Sequence, residues 1–185
     1  MLTLEPLPLS TKARELRRTF DESFAVPPPP PAPPTVALLL VRVAGELLAI
    51  RRTDMTGFTR GENLALVPSG TPAFLGLAGL RGGLYPVWSL AGLLGRPLPP
   101  AGSSCWLVLA ETRGAPCGFA CELFEKMIFV PAASVTGSAR HDASAGFISA
   151  MAPWESALVP VVDLPALQAH IWKRKEAMHS RRPTP

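Results

Sequence analysis

The chain has 185 residues, 48% hydrophobic and 17% charged, with a formal net charge of +4. That is enough apolar sequence for one ordinary domain with tails, and it excludes a chain too polar to bury a core. Arg42 and Arg81 break the longest apolar stretches short of the roughly 18 residues a membrane span needs.

In chain order, residues 1–34 read as a separate segment. The start, MLTLEPLPLSTKAREL, lacks the basic block and apolar run of a secretory signal, so the expected compartment is cytoplasmic. Ser10 is placed to cap a short helix, and Ala13, Leu16, Phe20 and Phe24 fall at helical spacing on one face. Val26–Pro34 is nearly all proline, which fixes φ and predicts a stiff polyproline II spacer.

The folded body is expected from 35 to 175, followed by a basic, flexible tail over 176–185. Val36–Ala44 is rich in Val and Leu and predicts a strand buried on both faces. Gly45 turns it into a second strand, Glu46–Ile50. Met55 and Phe58 are the expected inward residues of the next stretch, Gly61–Asn63 is a turn, and Leu64–Val67 is a short strand. Pro72–Gly83 reads as an apolar turn and a glycine-spaced segment holding one charge, Arg81. Leu84–Ser89 is then a strand and Leu90–Leu94 a helical turn.

Cys105–Ala110 and Gly118–Cys121 predict a hairpin turning near Thr112–Gly114, with a short strand at Met127–Val130. Ala132–Gly146 is polar loop, and Phe147–Trp154 and Ala157–Val162 form the last hairpin. Asp163 is a good helix cap, with Pro165 in the first turn and Leu164, Leu167 and Ile171 on one face. Many short strands and few helices give an all-β class built of small barrels. The endings YPVWSLAGLLG and LVPVVDLPALQ are alike, which points to two related halves.

Catalytic patterns are missing. No pair among His141, His170 and His179 has metal-ligand spacing. Cys105, Cys117 and Cys121 lack the close Cys pairs of a thiolate site, and their odd number argues against a disulfide framework. No nucleophile elbow, phosphate loop or paired carboxylates occur. No enzyme activity, cofactor or metal is expected.

Three blocks then carry a resemblance: Thr71-Pro72-Ala73-Phe74-Leu75-Gly76, Gly79-Leu80-Arg81-Gly82 and Tyr85-Pro86-Val87-Trp88-Ser89-Leu90. With Leu48-Ala49-Ile50 and Leu158–Leu164 as flanks, the chain resembles the CheW family of bacterial chemosensory adaptors from about Val36 to Trp172. The family's pattern has asparagine where Gly79 stands, aspartate at Ser89 and often glutamate at Gly57.

The resemblance implies two intertwined five-stranded SH3-like β-barrels. It implies an adaptor bridging the cytoplasmic tips of methyl-accepting chemoreceptors and the regulatory domain of a CheA-type histidine kinase. No nucleic acid and no membrane insertion are expected on this reading. Arg81 carries over as the leading partner contact, beside Leu80 and Gly82. Met55 and Phe58 are further partner-binding candidates, with core packing the alternative for both. The competing reading is a small-barrel nucleic-acid binder using its basic ends, which requires a basic groove with exposed aromatics.

Overall fold

A computed structural model describes residues 10–25, 33–62, 64–80, 82–100, 102–112, 115–137 and 145–179. Arg81, Asn63, His141, most of the proline run, the Arg113–Gly114 turn and residues 180–185 lie outside the described residues. The chain divides into two compact units, Met1–Pro33 and Pro34–Pro185.

The first unit contains helix α1 (Thr11–Ala25). The Ala13 amide donates to Ser10 Oγ at 3.4 Å and the Arg14 amide to the Ser10 carbonyl at 3.1 Å, so Ser10 caps the helix as expected. Arg17–Asp21 and Arg18–Glu22 pair one turn apart on its polar face. Leu16 and Phe20 are exposed.

The second unit is two curled sheets. Its strands are β1 (Thr35–Val43), β2 (Glu46–Arg51), β3 (Gly57–Arg60), β4 (Leu64–Leu66), β5 (Phe74–Leu80), β6 (Gly83–Ser89), β7 (Trp106–Thr112), β8 (Ala115–Cys121), β9 (Leu123–Pro131), β10 (Thr136–Gly137), β11 (Ile148–Trp154) and β12 (Ala157–Val162). Helix α2 (Leu90–Leu93) follows β6, and helix α3 (Leu164–His179) follows β12. Sheet A runs β10-β11-β12-β2-β1-β9, and sheet B runs β3-β7-β8-β6-β5-β4. Each has six strands where the resemblance implied five.

The two halves have the same element order, but they exchange parts. The β1–β2 hairpin of the first half pairs with β9 and β12 of the second. The β7–β8 hairpin of the second half pairs with β3 and β6 of the first. In both sheets the swap is sealed by a parallel contact, Val161↔Ala49 in one and Val87↔Gly118 in the other. Pro86 and Pro160 sit one residue before these parallel ladders begin, so neither removes a donor the parallel ladder needs.

Alternation explains why β1 is buried on both faces. Leu38 and Leu40 point into sheet A's own interior, with Ile128, Val130, Val159 and Val161. Leu39, Val41 and Val43 point the other way, into a core shared with Val108, Phe119, Leu90, Leu164 and Leu167. Burying each such side chain contributes about 1.5–3 kcal/mol, and the shared core ties the exchanged hairpins together.

Three expectations change. The glycine-spaced segment is strand β5. Gly76 has φ +149, and a Cβ there would lie 2.0 Å from the Ala65 carbonyl oxygen, so glycine is what lets β4 approach β5. Strand β9 spans nine residues, since Leu123–Lys126 extend the ladder along β1. The loop 132–146 contains a 3-10 turn (Ala132–Ser134) and the short β10.

The β1–β2 turn places Ala44 at φ 51 and Gly45 at φ 77, the paired positive φ of a two-residue hairpin. Glu122 accepts from both turn amides, at 2.8 and 3.1 Å. Arg42 pairs with Glu125 at 2.6 Å, and Glu46 pairs with Arg96. Charged side chains far along the sequence therefore clasp this turn.

Candidate functional site

Leu80 and Gly82 flank the tip of the β5–β6 hairpin. Leu80↔Gly83 is the last pair of the ladder, and Gly82, at φ +79, is the residue that lets the chain reverse. Leu80 is half-buried and packs on sheet B's interior. Arg81, between them, lies outside the described residues.

The hairpin's outer face continues this surface with residues the sequence reading did not single out. Gly79 pairs with Leu84 and Leu77 with Pro86, so these four share one face. Leu84 is 69% exposed and Leu77 36%. An apolar strip therefore runs back from the tip. The other half has a counterpart. Pro153↔Leu158 and Met151↔Pro160 repeat the same register, and Leu158 is 60% exposed. Period-2 alternation in GLYPVWS carries the signal for Leu84, but only the pairing identifies which face is left uncovered.

Met55 and Phe58 occupy different surroundings. Met55 is 5% exposed and packs in the core between the sheets, while the Arg52 side chain donates to its carbonyl at 3.0 Å. Phe58 is 39% exposed rather than inward. Its ring lies 5.8 Å from Trp106 and 4.9 Å from Phe124, with Trp106–Phe124 also at 5.8 Å. These rings come from β3, β7 and β9, so they bridge the seam between the sheets. The Arg60 guanidinium stands 5.2 Å from the Trp106 ring. Along sheet B, β3 is separated from β6 by β7 and β8. Phe58 and the β5–β6 tip thus belong to two surface regions. The sequence reading missed Trp106, Phe124 and Arg60, because no local pattern links positions so far apart.

Ser89 is 1% exposed, and its hydroxyl accepts from the Gly92 amide at 3.2 Å, capping α2. Asp163 does the same for α3, accepting from the Ala166 amide at 2.9 Å. Serine at 89 therefore keeps the capping role that aspartate performs at 163.

The cysteines are packing residues. Gln168 donates to Cys117 Sγ at 3.0 Å inside the core. Burial pushes the Cys117 thiol up to about 11, partly offset by that hydrogen bond. Burial, then the nearby Cys105 and Glu122, pushes Cys121 up to about 12. Burial also raises Cys105. Protonated thiols are poor nucleophiles and poor ligands. Among the described residues no cluster of three or more His, Cys, Asp or Glu forms a metal site, and no helix is long and apolar enough to cross a membrane.

A family model described as the CheW-like domain matches residues 37–171. Among solved structures, the scaffolding protein TtCheW from Thermoanaerobacter tengcongensis is similar, with a TM-score of 0.62 at 16% identity. The match covers 71% of this chain and 89% of that one. No curated protein sequence matches.

Proposed function

We propose, from the premise that this chain belongs to the CheW-like domain family, that it is a chemosensory adaptor. It has no catalysis of its own and works by holding other proteins together in the cytoplasm. Its partners are the regulatory domain of a CheA-type histidine kinase and the cytoplasmic tips of methyl-accepting chemoreceptors. The observation that carries this reading is the family match across nearly the whole two-sheet body.

The β5–β6 hairpin is the proposed contact surface. Leu80 and Gly82 flank its tip, with Arg81 between them in sequence, and the exposed Leu84 and Leu77 supply apolar area beside it. Arginine is favoured at such a place because its planar guanidinium holds carboxylates or carbonyls with paired hydrogen bonds. Phe58, on the inter-sheet seam, is a second contact. Met55 supports that seam from beneath. Helix α1 and its proline spacer lie outside the matched segment and are not needed for the adaptor fold.

Co-purification tests this directly. Full-length chain should retain a CheA-type kinase and receptor tips, and Arg81→Glu should weaken capture of one or both about tenfold with the melting midpoint nearly unchanged. Undiminished capture of both by the variant would remove Arg81 from the surface, and no capture by the parent chain would overturn the adaptor reading.

A further inference from the structure

A cavity of about 400 Å³ lies against sheet A, lined by Leu40, Leu47, Trp154 and Val159 among others, and a wider one lies against sheet B. Sheet A's interior holds nine buried residues, among them Leu38, Leu40, Ile128 and Val130. Sheet B's holds five, Ala78, Val87, Leu107, Leu109 and Ala120. Beside them opens a cavity of about 780 Å³, within the range of roughly 300–1,000 Å³ typical of small-molecule sites.

Its apolar wall is formed by Leu64, Leu66, Leu75, Leu98, Ala120 and Cys121. One cation stands at it. Arg60 is exposed, lies 5.2 Å from the Trp106 ring and makes no ion pair among the described residues. Two carboxylates also line the space. Glu122 is engaged by the Ala44 and Gly45 amides, and Glu62 is solvent-exposed on its turn. A half-open cleft with an apolar wall, and with a guanidinium that makes no ion pair among the described residues, suits a ligand with an apolar body and a single negative head.

We infer that this cavity binds a medium-chain carboxylate, its alkyl body among Leu64, Leu66 and Leu75 and its head on Arg60. The site goes beyond the adaptor reading and does not depend on it: it shares no residue with the β5–β6 tip, and it meets the Phe58 seam only at Arg60 and Trp106.

Cys105 supplies a local reporter. It lines the cavity and is half-buried, whereas Cys117 is 2% exposed, lies outside the cavity lining and serves as the internal reference. The test follows iodoacetamide alkylation of Cys105 in the full chain by mass spectrometry. Dodecanoate, dodecyltrimethylammonium and dodecanol are added separately, each below its micelle concentration. Dodecanoate at about ten times its dissociation constant should slow alkylation about tenfold, with little effect from the other two. Arg60→Glu should lose that protection and gain it with the ammonium compound. Ala120→Phe should lose protection by dodecanoate, and Leu66→Glu is the substitute if Ala120→Phe does not fold by circular dichroism.

An unchanged rate with dodecanoate overturns the site. So does equal protection by all three compounds, or protection that survives both the charge and the cavity variants. Protection by an acidic apolar peptide but not by dodecanoate also overturns it, and would assign the cavity to a protein partner. Kinase capture by Leu66→Glu keeps the two readings apart: Leu66 lies on neither the β5–β6 tip nor the Phe58 seam, so capture should match the parent chain whatever the alkylation result.

Discussion

Sheets A and B have the same strand order, the same exchange of hairpins and the same capped helix after the closing strand, yet their interiors differ. Sheet A's interior is the larger, with nine buried residues against five, and the wider cavity, about 780 against 400 Å³, lies beside sheet B. Pairing registers show the contrast residue by residue. Gly76 faces Leu66 in sheet B, and at the equivalent place in sheet A Ala150 faces Gly137. Bulk has moved from one strand to the other across the same ladder. The shared core between the sheets, fed by alternate residues of β1 and β7, fixes the topology. The private interiors can therefore diverge without changing the fold, and the wider cavity lies beside sheet B.

The comparison breaks most sharply at Gly76. Gly76→Ala combines a positive φ with a Cβ meeting the Ala65 carbonyl. It should destabilise by about 3 kcal/mol or more, read by chemical denaturation. At the equivalent position, where alanine already stands, Ala150→Gly should cost only about 1 kcal/mol.

Interior volume gives the next contrast. Ala152 is fully buried in sheet A, so Ala152→Leu should overpack and destabilise by about 2 kcal/mol. Ala120→Leu, at a residue that lines the cavity, should cost less, about 1 kcal/mol. Equal costs for the two would mean that the interiors do not differ in free volume.

The caps should behave alike. Ser89→Ala and Asp163→Ala each remove one acceptor from a helix start and should each cost about 1 kcal/mol, measured the same way. A much larger loss at one would show that its side chain does more than cap.

A further effect appears only in alkali. Cys117 and Cys121 titrate near 11 and 12 when folded, above the ordinary thiol range. Above about pH 9 the unfolded chain releases these protons while the folded chain keeps them, so stability falls as pH rises. Cys117→Ala should flatten that decline between about pH 9 and 11 in urea titrations. An identical slope in the variant would remove Cys117 as its source.

Much of this was legible locally. Ser10 and Asp163 cap helices because each carries a short side-chain acceptor just before a helical pattern. The β1–β2 and β11–β12 hairpins follow from strand alternation and short polar or small turns. The glycine-spaced Phe74–Leu80 did not read as a strand, since glycine weakens strand propensity and its purpose at 76 lies in Ala65 of another strand. Phe58 was visible as apolar but not as half-exposed, because its neighbours Trp106 and Phe124 come from the other half of the chain.

Local sequence sets which faces of each strand are apolar, where the helices start and where the chain turns, because those depend on periods of two and 3.6 residues and on side chains within one turn. Which surface each face meets is set by long-range packing. Val41 alternates identically whether it packs on its own half or on Phe119 of the other. The exchanged hairpins, the aromatic seam at Phe58, Trp106 and Phe124, and the cavity beside Arg60 all follow from that choice. They are contacts between residues remote in sequence, and no local period encodes them.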